Sequence, residues 1–361
     1  MLNSSDIVRQ PMNRRSFVAA AGLGIASITA ALAGCSGSTD ATGSTTGSAA
    51  PAGSAGSAAA TEGVEVRVAS LKGPTSIGLV TFMDQAKNPD MFTNSYDFQI
   101  MTAADEILPL VIKGDIDIAL IPANAASVLY NKTEGGIVCL DINTLGVLSV
   151  VTGDTSVASF ADLAGRTVYL TGKGTTPEYT MNYLLDAAGI ADSVTLEFKS
   201  EAAEVVSVLA ADPAAVGVLP QPFVTAALTK NEALSAPIDL NDVWTEYSAE
   251  GSQMVTGVTI ARRAFAEEHE QAIAEFVISQ TASVETVNDD PETAAPLVVE
   301  AGIIDAEPVA AKAIPNCHLV CMTGEEMTEA LSGYLDVLHN ADPSSVGGAL
   351  PETDFYYTID E

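Results

Sequence analysis

The sequence predicts an α/β protein of two similar lobes, each a mainly parallel sheet flanked by helices, joined by a two-stranded hinge. Three observations carry that expectation. From Val64 onward, apolar β-rich runs alternate with helical stretches, the order that builds parallel sheets with helices on both faces. The order then repeats: residues 98–132 (FQIMTAADEILPLVIKGDIDIALIPANAASVLYNK) align without gaps on residues 196–230 (LEFKSEAAEVVSVLAADPAAVGVLPQPFVTAALTK) at a constant offset of 98. Thr102 meets Ser200, Glu106 meets Glu204, Pro122 meets Pro220 and Lys132 meets Lys230. Finally, two apolar runs, 145–152 (LGVLSVVT) and 254–261 (MVTGVTIA), stand where the chain would cross between lobes and return. Paired crossings of this kind permit domain closure.

The elements follow in order. The first block reads as strands over 65–71, 97–101, 116–121 and 137–142, with helices over 75–86, 104–113 and 123–130. The second block reads as strands over 167–170, 194–198 and 216–219, with helices over 177–188, 201–211 and 223–230. Beyond the second crossing the pattern is helical over 262–287, 292–301, 309–313 and 324–338, and these helices complete the first lobe. The expected units are therefore 63–150 and 252–361 for lobe I and 151–251 for lobe II. Trp244 and Tyr247 fall on an amphipathic helix as packing residues, and Phe355, Tyr356 and Tyr357 dock the tail.

The first 35 residues read as an export signal. Arg14 and Arg15 precede Ser16 and Phe17, similar to a twin-arginine pattern, with the general export route as the alternative. The small-residue apolar stretch that follows is short for a spanning helix. It ends in Leu32-Ala33-Gly34-Cys35, which resembles a bacterial lipobox, so Cys35 is the expected lipidation site. Residues 36–62 are almost entirely Ser, Gly, Ala and Thr. Such a segment buries too little to order itself and reads as a flexible tether.

Composition narrows the function. Hydrophobic residues make up 47%, enough for sizeable cores. Acids outnumber bases 47 to 15, a net charge of −32, which disfavours nucleic acid and anionic lipid as partners. A small ligand is still admitted, because a local site can differ in sign from the whole surface. Four cysteines are too few for a disulfide scaffold. Cys317, His318 and Cys321 lack the second half of a zinc module, so no metal is expected; Cys317 and Cys321 are either a local disulfide or free thiols. The acids at 267–270 read as a solvated helix face, and Cys139 as a buried thiol.

The segments LKGPTSIGL (71–79), GDIDIALIPANAASVLYNKT (114–133), NTLGVL (143–148), DLAGRTVYLTGKGTTPEY (162–179), LPQPFVT (219–225), AIPNCHLV (313–320) and SVGGALPETDFYY (345–357), in this order, carry a family likeness. The chain resembles the type II periplasmic solute-binding proteins of ABC importers, in the nitrate, sulfonate, taurine and thiamine-pyrimidine branch. The resemblance implies the two-lobed type II fold, no enzymatic activity and no cofactor. It implies a monomer that captures a small solute, such as a sulfonate, a nitrate-like anion or a heterocycle, and delivers it to a separate ABC permease and its ATPase. It also implies a protein held by lipid at the outer face of the cytoplasmic membrane. A ligand sensor for a membrane receptor and a pyrimidine-precursor enzyme are the alternatives on the same fold. Against the enzyme, His269, His318 and His339 lie off the expected cleft loops and no Cys-rich run is present.

Fold and resemblance together point to four cleft loops, since ligands in open α/β sheets sit at the carboxyl ends of strands. Gly73-Pro74-Thr75-Ser76 opens the first helix, where free N–H groups suit an anion. Asn124 follows Pro122 and offers both a donor and an acceptor. Lys173-Gly174-Thr175-Thr176 supplies glycine, hydroxyls and one cation, with Lys173 either on an anion or in solvent. Gln221 and Pro222 occupy the place matching Ala123 and Asn124, and Gln221 offers the same donor and acceptor. Thr102, at the end of the second strand, and Gln253, at the second crossing, complete the candidate ligand set.

Overall fold

The protein is described here by a computed structural model, in which residues 63–174 and 176–358 are described. The signal segment, Cys35, the tether and Thr175 lie outside the described residues. Lobe I begins with β1 (Glu65–Leu71), α1 (Pro74–Ile77), α2 (Val80–Gln85), β2 (Ser95–Met101), α3 (Ala104–Lys113), β3 (Ile118–Pro122), α4 (Ala123–Lys132) and β4 (Ile137–Leu145). Lobe II holds β5 (Leu148–Thr152), β6 (Thr167–Leu170), α5 (Thr176–Ala187), β7 (Thr195–Phe198), α6 (Ala202–Ala211), β8 (Val216–Pro220), α7 (Phe223–Lys230), β9 (Ser235–Asp239) and α8 (Leu240–Tyr247). The chain returns to lobe I with β10 (Val255–Arg262), α9 (Arg263–Glu268), α10 (Glu270–Asp289), α11 (Pro291–Glu300), α12 (Glu307–Ala313), β11 (Leu319–Met322) and α13 (Gly324–Ala341).

The two sheets share one topology. Lobe I has the order β11-β4-β10-β3-β1-β2, and lobe II the order β7-β6-β8-β5-β9. In each, a central strand pairs in parallel with two neighbours: β1 with β2 and β3, and β6 with β7 and β8. In each, the strand that has just crossed from the other lobe runs antiparallel beside the third strand: β10 beside β3, and β5 beside β8. The sheets are thus mixed rather than mainly parallel, because the crossing strands enter from the opposite end. At the hinge the crossings touch, Val255 of β10 pairing with Leu145 of β4.

The repeat holds to the residue in its central part. The bounds of α3 and α6, and of β3 and β8, differ by the same 98 positions seen in the sequence. Both copies use one local device: the Glu106 carboxylate reaches back to Thr102 N (3.1 Å), and the Glu204 carboxylate to Ser200 N (2.9 Å). Each satisfies an amide that the first helical turn leaves unpaired.

Other expectations shift. The helix expected over 75–86 is broken into α1 and α2 around Gly78, and the one over 262–287 is broken at His269, whose backbone (φ −130°, ψ 48°) is not helical. Two edge strands, β9 and β11, were not legible: β9 contains Pro237, and β11 pairs with β4 through an irregular register. The tail does dock, with Phe355 buried and Tyr357 N donating to Cys139 O (2.9 Å). Trp244 is buried between Tyr183 and Tyr334, with centroids at 4.9 and 5.3 Å, and its indole N–H donates to Ser252 (3.1 Å). Cys139, Cys317 and Cys321 are free thiols.

Candidate ligand-binding cleft

Parallel pairing puts the carboxyl ends of β1, β2 and β3 on one edge of lobe I, and those of β6, β7 and β8 on one edge of lobe II. The two edges meet at a cavity of about 550 Å³. Lobe I contributes Lys72 and Gly73 after β1 and Thr102 after β2; lobe II contributes Pro222, Phe223, Ala226 and Lys230 of α7 and its entry. A third wall, Ile303 to Val309, is the turn from α11 into α12. Lys72 and Lys230 are exposed and in no ion pair among the described residues, and Phe223 keeps 37% of its surface open. The cavity therefore offers two cations and an apolar wall, with Asp305 as the acid on its rim.

The residues singled out from the sequence fall into three groups. Gly73 and Thr102 line the cavity itself, Gly73 as the residue before Pro74 and α1. The Thr102 hydroxyl donates to Glu106 (3.2 Å). Thr75 is buried deeper. A Cβ on Gly257 would stand 2.8 Å from Thr75 Cγ2 and 2.6 Å from Asn143 Oδ1, so both side chains rest on the bare backbone of β10. Ser76 is fully buried, its hydroxyl donating to Leu71 O (2.7 Å) and paired with Ser70 (2.6 Å), which ties α1 to β1.

A second group faces the tail. Asn124 Nδ2 donates to Ser345 O (3.3 Å). The Gly174 amide donates to Glu178, and Tyr179 OH joins Gly174 O (3.3 Å) to Asp342 (3.0 Å). The turn after α13 thus sits between Asn124 of lobe I and Gly174 of lobe II. Lys173 is exposed, 5.9 Å from the Phe198 ring centroid. Thr176 begins α5 beside Tyr334, whose phenol burial pushes upward. Thr180, one turn on, is buried, and the hydroxyls of Thr180 and Thr176 oppose the upward pull of burial on the Tyr334 phenol.

The third group lines neither. Gln221 is buried; its side-chain oxygen accepts from the Thr225 hydroxyl (2.8 Å), while its backbone N–H donates to Val147 O (3.0 Å). Gln253 is half-buried, with no hydrogen-bond partner among the described residues. Sequence reading missed Lys230 and the 303–309 wall. The pairing of Lys132 with Lys230 across the repeat was the available signal for the lysine. The 303–309 turn has no counterpart in the repeat.

No family model and no curated protein sequence matches the chain. Solved structures do. An ABC transporter from Parabacteroides distasonis superposes with a TM-score of 0.69 at 24% identity, covering 82% of this chain and 99% of that one. The periplasmic aliphatic sulphonate binding protein of Escherichia coli gives 0.65 at 14%, covering 82% and 93%. The zinc-bound ligand binding component of an ABC-type import system from Staphylococcus aureus gives 0.59 at 13%, covering 81% and 96%. The chain has the two-lobed fold of type II periplasmic binding proteins.

Proposed function

We infer that the chain is an exported receptor that captures a small anionic or organic solute between its lobes and delivers it to a separate ABC permease. The observation that carries this reading is the inter-lobe cavity of about 550 Å³ with Lys72 on one lobe and Lys230 on the other. In a protein of net charge −32, two uncommitted lysines at one opening mark a local reversal of sign, and this draws an anion. The apolar wall of Phe223, Ile303, Ile304 and Val309 takes the remainder of the solute. Binding favours whichever lobe arrangement contacts the solute best, so closure needs only a difference in affinity between open and closed forms.

The chain acts by binding rather than catalysis. None of His269, His318 and His339 lines the cavity. Lipid on Cys35, supported by the Leu32–Cys35 sequence and the Ser/Gly/Ala/Thr tether, holds the receptor at the outer face of the cytoplasmic membrane. No helix of the described residues is long and apolar enough to cross a membrane.

The test is thermal-shift screening against alkanesulfonates, nitrate, bicarbonate, pyrimidines and flavins, followed by calorimetry, since a ligand stabilises with the logarithm of its excess over Kd. The reading expects one anionic class to stabilise the chain, and Lys72→Ala and Lys230→Ala each to weaken it about fivefold or more. Stabilisation indifferent to both substitutions would move the site elsewhere. Cys35→Ala is expected to shift the protein from the membrane fraction to the soluble one.

A further inference from the structure

The peptide that carries the chain out of lobe I is gripped from both lobes at one residue. Gly146 lies between β4 and β5. Its N–H donates to Asn241 Oδ1 (3.2 Å) and its carbonyl accepts from Asn241 Nδ2 (3.2 Å). Asn241 belongs to the first turn of α8, so this grip comes from lobe II. From lobe I, His318 Nδ1 stands 2.5 Å from the same carbonyl. Asn241 Nδ2 also stands 2.9 Å from Nδ1; because a carbonyl oxygen cannot donate and its contact is the shorter of the two, the proton lies on Nδ1, which gives this bond. The other ring nitrogen, Nε2, stands 3.6 Å from Asp239 Oδ2 at the end of β9 in lobe II. Asp239 also caps α8 by accepting from Asn241 N (2.8 Å).

The backbone is drawn into the same knot. His318 O accepts from Leu145 N (3.1 Å). A Cβ on Gly146 would fall 2.0 Å from Met254 Cε and 2.4 Å from Asn241 Oδ1, so the second crossing packs here too. His318 has a left-handed backbone, φ 46°, a conformation that non-glycine residues keep where the surroundings impose it.

We propose that His318 is a proton-sensitive latch on the hinge. With both ring nitrogens protonated it donates to Gly146 O and faces the Asp239 carboxylate as a cation, tying lobe I, the crossing peptide and lobe II together. When Nε2 gives its proton to solvent, the Asp239 end is released while Nδ1 keeps the carbonyl. Histidine is the side chain suited to such a change near neutral pH.

The charged groups around the bridge are few. Asp242, beside Asp239 on α8, repels its carboxylate. Lys312 of α12 lines a cavity of about 370 Å³ with Asp239. Cys317, next in the chain, is a buried thiol pushed up by that burial and stays neutral. Burial also raises the Asp239 carboxyl, against the pull of the Asn241 amide and His318. The bridge needs the charged form of both partners, so it is absent wherever Asp239 is protonated or Nε2 carries no proton. The latch concerns lobe motion and stands apart from the identity of the solute.

The test is amide hydrogen exchange of the 142–148 segment in the full chain from pH 4.5 to 8.5, corrected for intrinsic rates. Wild type is expected to show a protection maximum inside pH 5–8, about threefold or more above both limits. His318→Gln keeps a donor for Gly146 O but takes up no proton, and Asp239→Asn keeps the α8 cap; each is expected to flatten the profile. A flat wild-type profile, or a wild-type maximum retained in either variant, overturns the proposal. Should His318→Gln fail to fold, Asp239→Asn decides alone.

Discussion

Asn131 of lobe I and Thr229 of lobe II occupy the same place in the repeat, as do Ser127 and Thr225. In lobe I these positions are roofed by the tail: Ser127 donates to Val346 O (2.8 Å), and Asn131 to Val346 O (2.9 Å) and Ala349 O (2.7 Å). In lobe II, among the described residues, no tail segment bonds to the helix at these positions. Thr225 bonds within its own turn, to Gln221, and Thr229 lines an open cavity. The acids diverge in the same way. Asp117 of lobe I is buried between Arg67 (2.6 Å) and Arg262 (2.5 Å), whereas its repeat partner in lobe II is Ala215. Asp141 is buried in the lobe I sheet, accepting from Thr259 (2.8 Å) and Gln280 (2.9 Å), with no partner for its second oxygen among the described residues. Its partner Asp239 stands at the hinge. One backbone unit has been used twice, and internal ties have accumulated on the lobe whose helices the C-terminal segment completes.

The largest expected effect breaks that asymmetry. Burial pushes the Asp117 carboxyl up, but hydrogen bonds from Arg67 and Arg262 outweigh it and hold the group below the ordinary range. Asp117→Ala leaves two guanidinium groups without their shared anion and is expected to destabilise the chain by about 3–4 kcal/mol in urea denaturation. Ala215→Asp, the reverse exchange, supplies an acid without arginines and is expected to give no gain.

Next comes Asp141, whose carboxyl burial raises to about 7 against hydrogen bonds from Thr259 and Gln280. A carboxyl raised in the folded state contributes most below its ordinary value of 3.8. That contribution is lost as pH rises towards 7 and is flat above. Asp141→Asn is therefore expected to match wild type near pH 4 and to exceed it by about 2–3 kcal/mol at pH 8. A variant less stable than wild type at pH 8 would mean that the acid is ionised and held by its network.

Smaller effects sharpen the comparison. Asn131→Ala removes two bonds to the tail and is expected to cost about 1–2 kcal/mol, with faster amide exchange over 345–349. Lys230→Ala is expected to weaken binding of an anionic solute about fivefold, roughly 1 kcal/mol. Lys132→Ala, its repeat partner, is expected to leave binding unchanged, because Lys132 lies outside the cavity.

How much of this was legible in sequence follows the same division. The repeat was readable because each copy keeps Glu at the helix start and Pro at the strand end, so α3 and α6 fell where periodicity put them. β9 and β11 were not, since edge strands bury one side or neither and need no alternating pattern. The loops after β1 and β2 were readable as cleft loops from their place at strand ends. Lys230, at the far end of a helix, and the 303–309 wall reach the cavity only through packing of α12 against lobe II. The commitment of Ser76, Asn124 and Gln221 to internal bonds depends on tertiary partners that local sequence does not name.

The central claim is that two matched lobes close on a solute in their shared cleft. Small-angle X-ray scattering tests it most directly, on the full chain with and without a saturating amount of the screened compound that stabilises it most. The account predicts a smaller radius of gyration with the compound, and no change in a Lys72→Ala, Lys230→Ala double variant at the same concentration. A compound that stabilises both proteins equally while the radius of gyration stays constant would contradict it.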